Sequence, residues 1–206
     1  EIWIATGNKG KLSEMKHILT RVQDSVVHSQ SELKFYSSPP ENGKNYYENA
    51  LIKTKSLKAT KPGVWVIGED SGLEVLGLNK LPGIHSARYA GDRASDSENK
   101  AKLLKMLQIR QVADRSASFQ CCMLVYTPSG DLWKFETELK GKISEREMGM
   151  HGFGYDTVFI PDGETKTLAE LGPAYKNKNS HRAKALVQFI EKLQAEGFSG
   201  STDKEG

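Results

Sequence analysis

Apolar positions recur along the 206-residue chain with two different periods, and the switches between them predict its elements. Short β-branched runs predict strands at Ile2-Trp3-Ile4-Ala5 and at Val64-Trp65-Val66-Ile67. The second run has the unbroken apolar character of a strand covered on both faces. Leu12, Met15, Ile18 and Leu19 stand at helical spacing and predict a helix from Leu12 to about Val22. Asn45, with Glu48 three residues later, is the start signal of a second helix, which runs to Thr60 and stops before Pro62-Gly63. Ser95 and Glu98 open a third, with Ala101, Leu103, Leu104 and Leu107 on its apolar face. Residues 117–126 alternate Ala117, Phe119, Cys121, Met123 and Val125 with polar or smaller neighbours, as a strand does. Residues 132–143 read as its hairpin partner across Thr127-Pro128-Ser129-Gly130-Asp131. A glycine-led segment, 153–160, ends in a strand, and a last helix spans about Ser180 to Glu196.

Strands alternate with helices early and hairpins follow later. That order predicts an α/β fold whose twisted sheet is mixed rather than purely parallel, with flanking helices. The chain shows no repeat and no linker. A single domain is expected over 1–198, and the small, polar stretch 199–206 is expected to be disordered.

Composition narrows the function classes. The net charge of +3 is too small to argue for binding a nucleic-acid polymer. No apolar run approaches the roughly 20 residues of a membrane span, and no charged-then-apolar signal segment is read at the start. The two cysteines, Cys121 and Cys122, are neighbours and would point to opposite faces of a strand, so they are poor disulfide partners. A reducing cytoplasm fits that usage best. The charge is uneven, however. Lys9 and Lys11 crowd the first loop, and Lys53, Lys55, Lys58 and Lys61 crowd one helix. Such a run is a solvated face or an anion site.

Five segments carry candidate chemistry. After Ile67 the chain changes at once to Gly68-Glu69-Asp70-Ser71-Gly72. Adjacent buried carboxylates repel and lose solvation, so a strand ending this way invites a cation such as Mg²⁺. An acidic turn bent by Gly72 is the other reading. The first loop, Thr6-Gly7-Asn8-Lys9-Gly10-Lys11, follows a strand and opens a helix, where backbone N–H groups and the helix dipole favour an anion. It lacks P-loop spacing, and a plain glycine-containing turn fits the residues as well. On the second helix, Asn49, Lys53 and Ser56 share one face, which places Lys53 away from the core and within reach of a phosphate. In Gly152-Phe153-Gly154-Tyr155-Asp156, glycines beside an aromatic leave room for a flat partner, and Tyr155 and Asp156 add polar handles. A tight turn is the alternative. Ser180-His181-Arg182 puts cations at a helix start, where the dipole opposes them, and hints at a ligand with acceptor atoms. Lys176 precedes them in an expected loop.

Together these segments resemble the inosine triphosphatase family of pyrophosphatases that hydrolyse dITP, ITP and XTP. The matching motifs are Ala5-Thr6-Gly7-Asn8-x-Gly10-Lys11, Glu48-Asn49-Ala50, Asp70-Ser71-Gly72-Leu73, Pro82-Gly83-Ile84 with Ser86-Ala87-Arg88-Tyr89, Gly152-Phe153-Gly154-Tyr155-Asp156 and Ser180-His181-Arg182. The resemblance implies an elongated fold of two lobes around a central cleft and a homodimer. It also implies Mg²⁺-dependent release of pyrophosphate from a purine nucleoside triphosphate. It makes Asp70 metal ligand and general base, with Glu41 or Glu69 as a further metal ligand. Thr6 to Lys11 and Lys53 would hold the triphosphate. Phe153, Gly154, Tyr155, Asp156, Lys176, His181 and Arg182 would hold the nucleotide, largely its base, with Asn49 and Ser71 beside them. Two positions depart from the family pattern: Glu69 stands where Asp is commonest, and Thr157 where Pro is. A Maf-like pyrophosphatase of other base specificity and a non-catalytic nucleotide-binding module are the competing readings.

Overall fold

Alternation along the strands decides the architecture. In the computed structural model, which describes residues 1–198, β1 (Ile2–Ile4) is buried along its whole length. Ile2 and Ile4 face one way, with Ile67, Cys121, Met123 and Val125, while Trp3 and Val66 face the other. Both faces are therefore apolar and each takes helices, as the unbroken hydrophobic runs predict. Helices α1 (Lys9–Leu19) and α6 (His181–Ala195) cover the first face through Met15, Ile18, Leu19, Leu186, Phe189 and Ile190. Each such side chain, fully buried, contributes about 1.5–3 kcal/mol. Helix α2 (Tyr46–Thr60) covers the other with Ala50 and Leu57.

The sheet has seven strands in the order β2-β1-β3-β5-β6-β7, with β4 pairing β3. Beyond β1, these are β2 (Val27–Ser29), β3 (Trp65–Val75), β4 (Leu81–Pro82), β5 (Ser116–Tyr126), β6 (Leu132–Ile143) and β7 (Phe159–Pro161). β1 runs parallel to β2 and β3, whereas β4 on β3 and β7 on β6 are antiparallel, so the sheet is mixed as expected. The remaining helices are α3 (Asp96–Ile109), α4 (Leu168–Leu171) and α5 (Pro173–Asn179).

The chain divides into two compact units. Unit 1 comprises 1–70, 121–137 and the chain from 182 onward; unit 2 comprises 71–120 and 138–181. Strands β3, β5 and β6 each contribute a stretch to both. Unit 2 has its own core, in which Leu73 and Val75 of β3 meet Leu103 and Leu107 of α3, with Phe119, Val158 and Phe159.

Several expectations need correction. The apolar strand does not end at Ile67: β3 continues through the acidic pair to Val75, so Glu69 and Asp70 lie mid-strand, not in a turn. Gly68 is there for contact. A Cβ on it would lie 2.1 Å from Thr54 Oγ1 of α2, so only glycine lets helix and strand approach this closely. Helix α1 starts three residues earlier than its apolar spacing suggests and ends at Leu19, capped by Asn8. The stretch holding Lys176 is not a loop but helix α5, with Pro173 at its first turn. β2 and α4 are too short to show a period. Residues 199–206, where a disordered tail is expected, lie outside the described residues. Among the described residues no helix is long and apolar enough to cross a membrane, and Cys121 and Cys122 are both free.

Candidate active site

Successive side chains of a strand point to opposite faces. Within unit 1, odd positions of β3 follow Ile67 toward α1 and α6, and even positions follow Val66 toward α2. The acidic pair is split by this rule. Glu69 meets Lys11 Nζ of α1 at 2.8 Å and Arg182 Nη2 of α6 at 3.4 Å. Asp70 turns to α2, where its Oδ1 lies 3.8 Å from Lys53 Nζ.

The α2 side is short of donors. Lys53 Nζ lies 2.8 Å from Glu41 Oε1 and shares itself between two carboxylates. Asp70 Oδ2 is buried and has no hydrogen-bond partner among the described residues. Burial pushes the Asp70 carboxyl above its usual range, with Glu69 and Glu41 adding to the rise and Lys53 and Lys11 opposing it. Burial pulls the Lys53 ammonium down, but Asp70 and Glu41 more than offset this and hold it above its ordinary value. Contrary to the helical-face reading, Lys53 is only 7% exposed. Its charge is directed along the interior toward Asp70, not outward.

Glu41 is held in place by Asn49. The Asn49 side chain, buried on α2, accepts from Gly43 N at 2.8 Å and pins the loop two residues beyond Glu41. A Cβ on Gly43 would lie 2.7 Å from Asn49 Oδ1, so this clamp requires glycine. Asn49 thus braces a carboxylate-bearing loop. Glu48 caps as expected, accepting from Lys44 N.

The first loop is ordered by its own side chains. Thr6 Oγ1 accepts from Asn8 N at 3.1 Å, and Asn8 Oδ1 accepts from Lys11 N at 3.0 Å. Lys9 and Gly10 are the first residues of α1, whose opening turn has no acidic side chain. Gly7, Asn8 and Lys9 are exposed, which leaves a helix N-terminus open to an anion.

The second cluster lies within unit 2. Gly152 and Gly154 take positive φ, +83° and +58°, and bend 152–156 tightly. Asp156 Oδ2 accepts from Phe153 N at 3.0 Å and from Lys176 Nζ at 2.6 Å. Lys176 Nζ also sits 4.4 Å over the Phe153 ring. Gly154 N donates to Asp96 Oδ2 at the start of α3, and Tyr155 OH donates to Ser86 O at 2.7 Å. Tyr155 and Asp156 are therefore turned inward to hold the turn, and burial pushes the Tyr155 phenol well above its usual range. Phe153 stays half-buried. The His181 ring stacks on Phe119, with centroids 4.9 Å apart. Thr157, standing where the family pattern has proline, accepts from Lys100 and donates to Glu147.

Sequence reasoning missed four residues. Glu14 pairs with Arg182 at 2.6 Å, and the Cys121 thiol faces Glu69. Asp96 anchors the 152–156 turn. Gln30 is buried beside Gly7, and its Oε1 has no partner among the described residues. An offset of three residues puts Glu14 on the helix face of Lys11 only if α1 starts before Leu12, which the apolar spacing hides. Ser71 follows Asp70 half-buried in β3.

Of the two further candidates, Glu41 shares Lys53 with Asp70, whereas Glu69 does not. Among the described residues no three His, Cys, Asp or Glu side chains group so as to hold a metal by themselves. Glu69 is committed to Lys11 and Arg182 on the opposite face. Asp70 and Glu41 remain, and they fit Mg²⁺, which is commonly held by one or two carboxylates together with substrate phosphates.

Comparison with known proteins agrees with this architecture. Residues 2–192 match the model of the Ham1 family. The chain is 57% identical to the dITP/XTP pyrophosphatase of Bdellovibrio bacteriovorus, over 94% of this chain and 98% of that one. Among solved structures it resembles a HAM1 protein from Coxiella burnetii, with a TM-score of 0.84 at 34% identity over 94% and 98% of the two chains. The Staphylococcus aureus Ham1 protein gives a TM-score of 0.83 at 37% identity over 95% and 98%.

Proposed function

The chain belongs to the Ham1 family, and from that membership we propose that it is a nucleoside-triphosphate pyrophosphatase acting on dITP, ITP and XTP. It releases the nucleoside monophosphate and pyrophosphate and so clears nonstandard purines from the nucleotide pool. The observation that carries the chemistry is the buried, unpartnered Asp70 Oδ2 beside Lys53 and Glu41.

Asp70 and Glu41 would hold Mg²⁺, which when bound neutralises charge on the triphosphate. Lys11 and Lys53 do the same from the protein, and the open N-terminus of α1 receives phosphate oxygens. A water adds to phosphorus at the α–β anhydride, the P–O bond to pyrophosphate breaks, and Asp70 takes the water's proton. Most of the acceleration comes from positioning and electrostatics, as is usual for phosphoryl chemistry.

In unit 2 the half-buried Phe153 ring gives a base a surface to stack on. Arg182 donates to a purine 6-oxo group, which hypoxanthine and xanthine carry and adenine lacks. A site built for that acceptor leaves adenine mismatched. A homodimer in a reducing cytoplasm belongs to the same reading, and size-exclusion chromatography with light scattering tests the dimer.

Purified protein is to be given ITP, XTP, dITP and ATP with Mg²⁺, with pyrophosphate and orthophosphate measured separately. Pyrophosphate from the first three, with ATP far slower, is expected, and chelation of Mg²⁺ should stop it. Preference for pyrimidine or modified nucleotides would point to a Maf-like enzyme, and absence of turnover to a binding module.

A further inference from the structure

Glu69 carries a negative charge into unit 1 without a part in the phosphate chemistry above. Its side chain is 1% exposed. Oε1 receives Lys11 Nζ at 2.8 Å and Arg182 Nη2 at 3.4 Å, and Oε2 faces Cys121 Sγ at 3.5 Å. Arg182 in turn gives Nη1 to Glu14 Oε2 at 2.6 Å. Two carboxylates and two cations from α1, β3 and α6 thus form one network.

We infer that Glu69 is a positioning residue that fixes Lys11 and Arg182 relative to one another, and that it is not a metal ligand. The inference rests on the proposed function, in which Lys11 meets the triphosphate and Arg182 the base. Both Glu69 oxygens already face protein donors, on the side of β3 away from Asp70 and Glu41. A divalent ion there would have to displace a lysine and an arginine from a buried carboxylate. The longer side chain also has a purpose. Aspartate would withdraw the carboxylate by about 1.5 Å, one carbon–carbon bond, and break a contact as short as the one to Lys11. One carboxylate holding both cations couples the grip on the phosphates to the grip on the base. Its loss should cost turnover and base discrimination together, and leave the metal requirement alone.

The test uses the full chain with Glu69→Gln and Glu69→Asp. Three quantities are measured: kcat and KM for ITP and ATP, half-saturating Mg²⁺, and metal-free calorimetric affinities for IMP and AMP. For Glu69→Gln we expect kcat on ITP to fall at least tenfold and the ITP-to-ATP ratio to shrink about tenfold. Half-saturating Mg²⁺ should stay within twofold, and the IMP-over-AMP preference should weaken in step. Glu69→Asp should show the same pattern, less severely, and it carries the test if the glutamine variant does not fold. A tenfold rise in the Mg²⁺ requirement with base preference intact, in either variant, would overturn the inference. The metal-free preference separates the two ideas. Wild-type protein that prefers IMP but makes no pyrophosphate from ITP refutes the proposed function. An IMP preference unchanged in both variants refutes the role of Glu69.

Discussion

The two charged clusters are built on opposite principles. In unit 2 the polar groups of the 152–156 turn answer one another: Asp156 accepts from Phe153 N and Lys176, Gly154 N donates to Asp96, and Tyr155 OH donates to a carbonyl. The result is a shaped turn that carries the half-buried Phe153 ring. In unit 1, two carboxylates compete for Lys53 while an oxygen of Asp70 is buried with no partner. Stability would favour filling that vacancy with a donor or an apolar group. Met hydrogen-bonding capacity marks a region kept for shape, and unmet capacity marks one kept for reaction. The comparison predicts that damage to unit 1 appears in turnover, and damage to unit 2 in substrate affinity.

Lys53→Met strikes hardest, because it strands Glu41 and Asp70 without their shared cation. Breaking a buried pair from one side costs about 3 kcal/mol or more. A melting experiment in Mg²⁺-free buffer should show that loss, and kcat should fall about a hundredfold, a size typical of one lost electrostatic contact. Gly152→Ala attacks the other cluster. A Cβ there would lie 2.1 Å from Asp156 Oδ2, at a φ of +83° that alanine resists. A penalty of about 1–3 kcal/mol is expected, and steady-state kinetics should register it in KM more than in kcat. Arg182→Ala should reduce the ITP-to-ATP ratio of kcat/KM about tenfold or more, and an unchanged ratio would remove Arg182 from base selection. Phe153→Ala is the mildest. Loss of one stacking surface, about 1–2 kcal/mol, should raise KM roughly tenfold while kcat moves less than twofold. A large fall in kcat there would erase the distinction between the clusters.

The helices and most strands were legible because their apolar periods are strong, as in Met15-Ile18-Leu19 and in the alternation from Ala117 to Val125. The site residues were legible as motifs, and their roles less so. Gly72 read as a turn former, although neither it nor Gly68 takes a positive φ and β3 passes straight through both. What Gly68 provides is space for Thr54, a contact no local pattern encodes. Lys53 read as surface because lysine seldom lies inside, and only the carboxylates brought by β3 and the 39–43 loop make its burial tolerable. Had β3 been read to its full length, simple alternation would have separated Glu69 from Asp70.

That separation is most directly examined through Asp70→Asn. The substitution keeps the shape and removes the charge, so ITP turnover is expected to fall by about three orders of magnitude, near the upper part of what general-base loss costs. The same variant should bind ITP calorimetrically within a fewfold of wild type. It should also melt no lower, because a carboxyl pushed up by burial is a charge the folded state holds at a cost. Near-normal turnover in a folded Asp70→Asn protein would contradict the assignment of the chemistry to this residue.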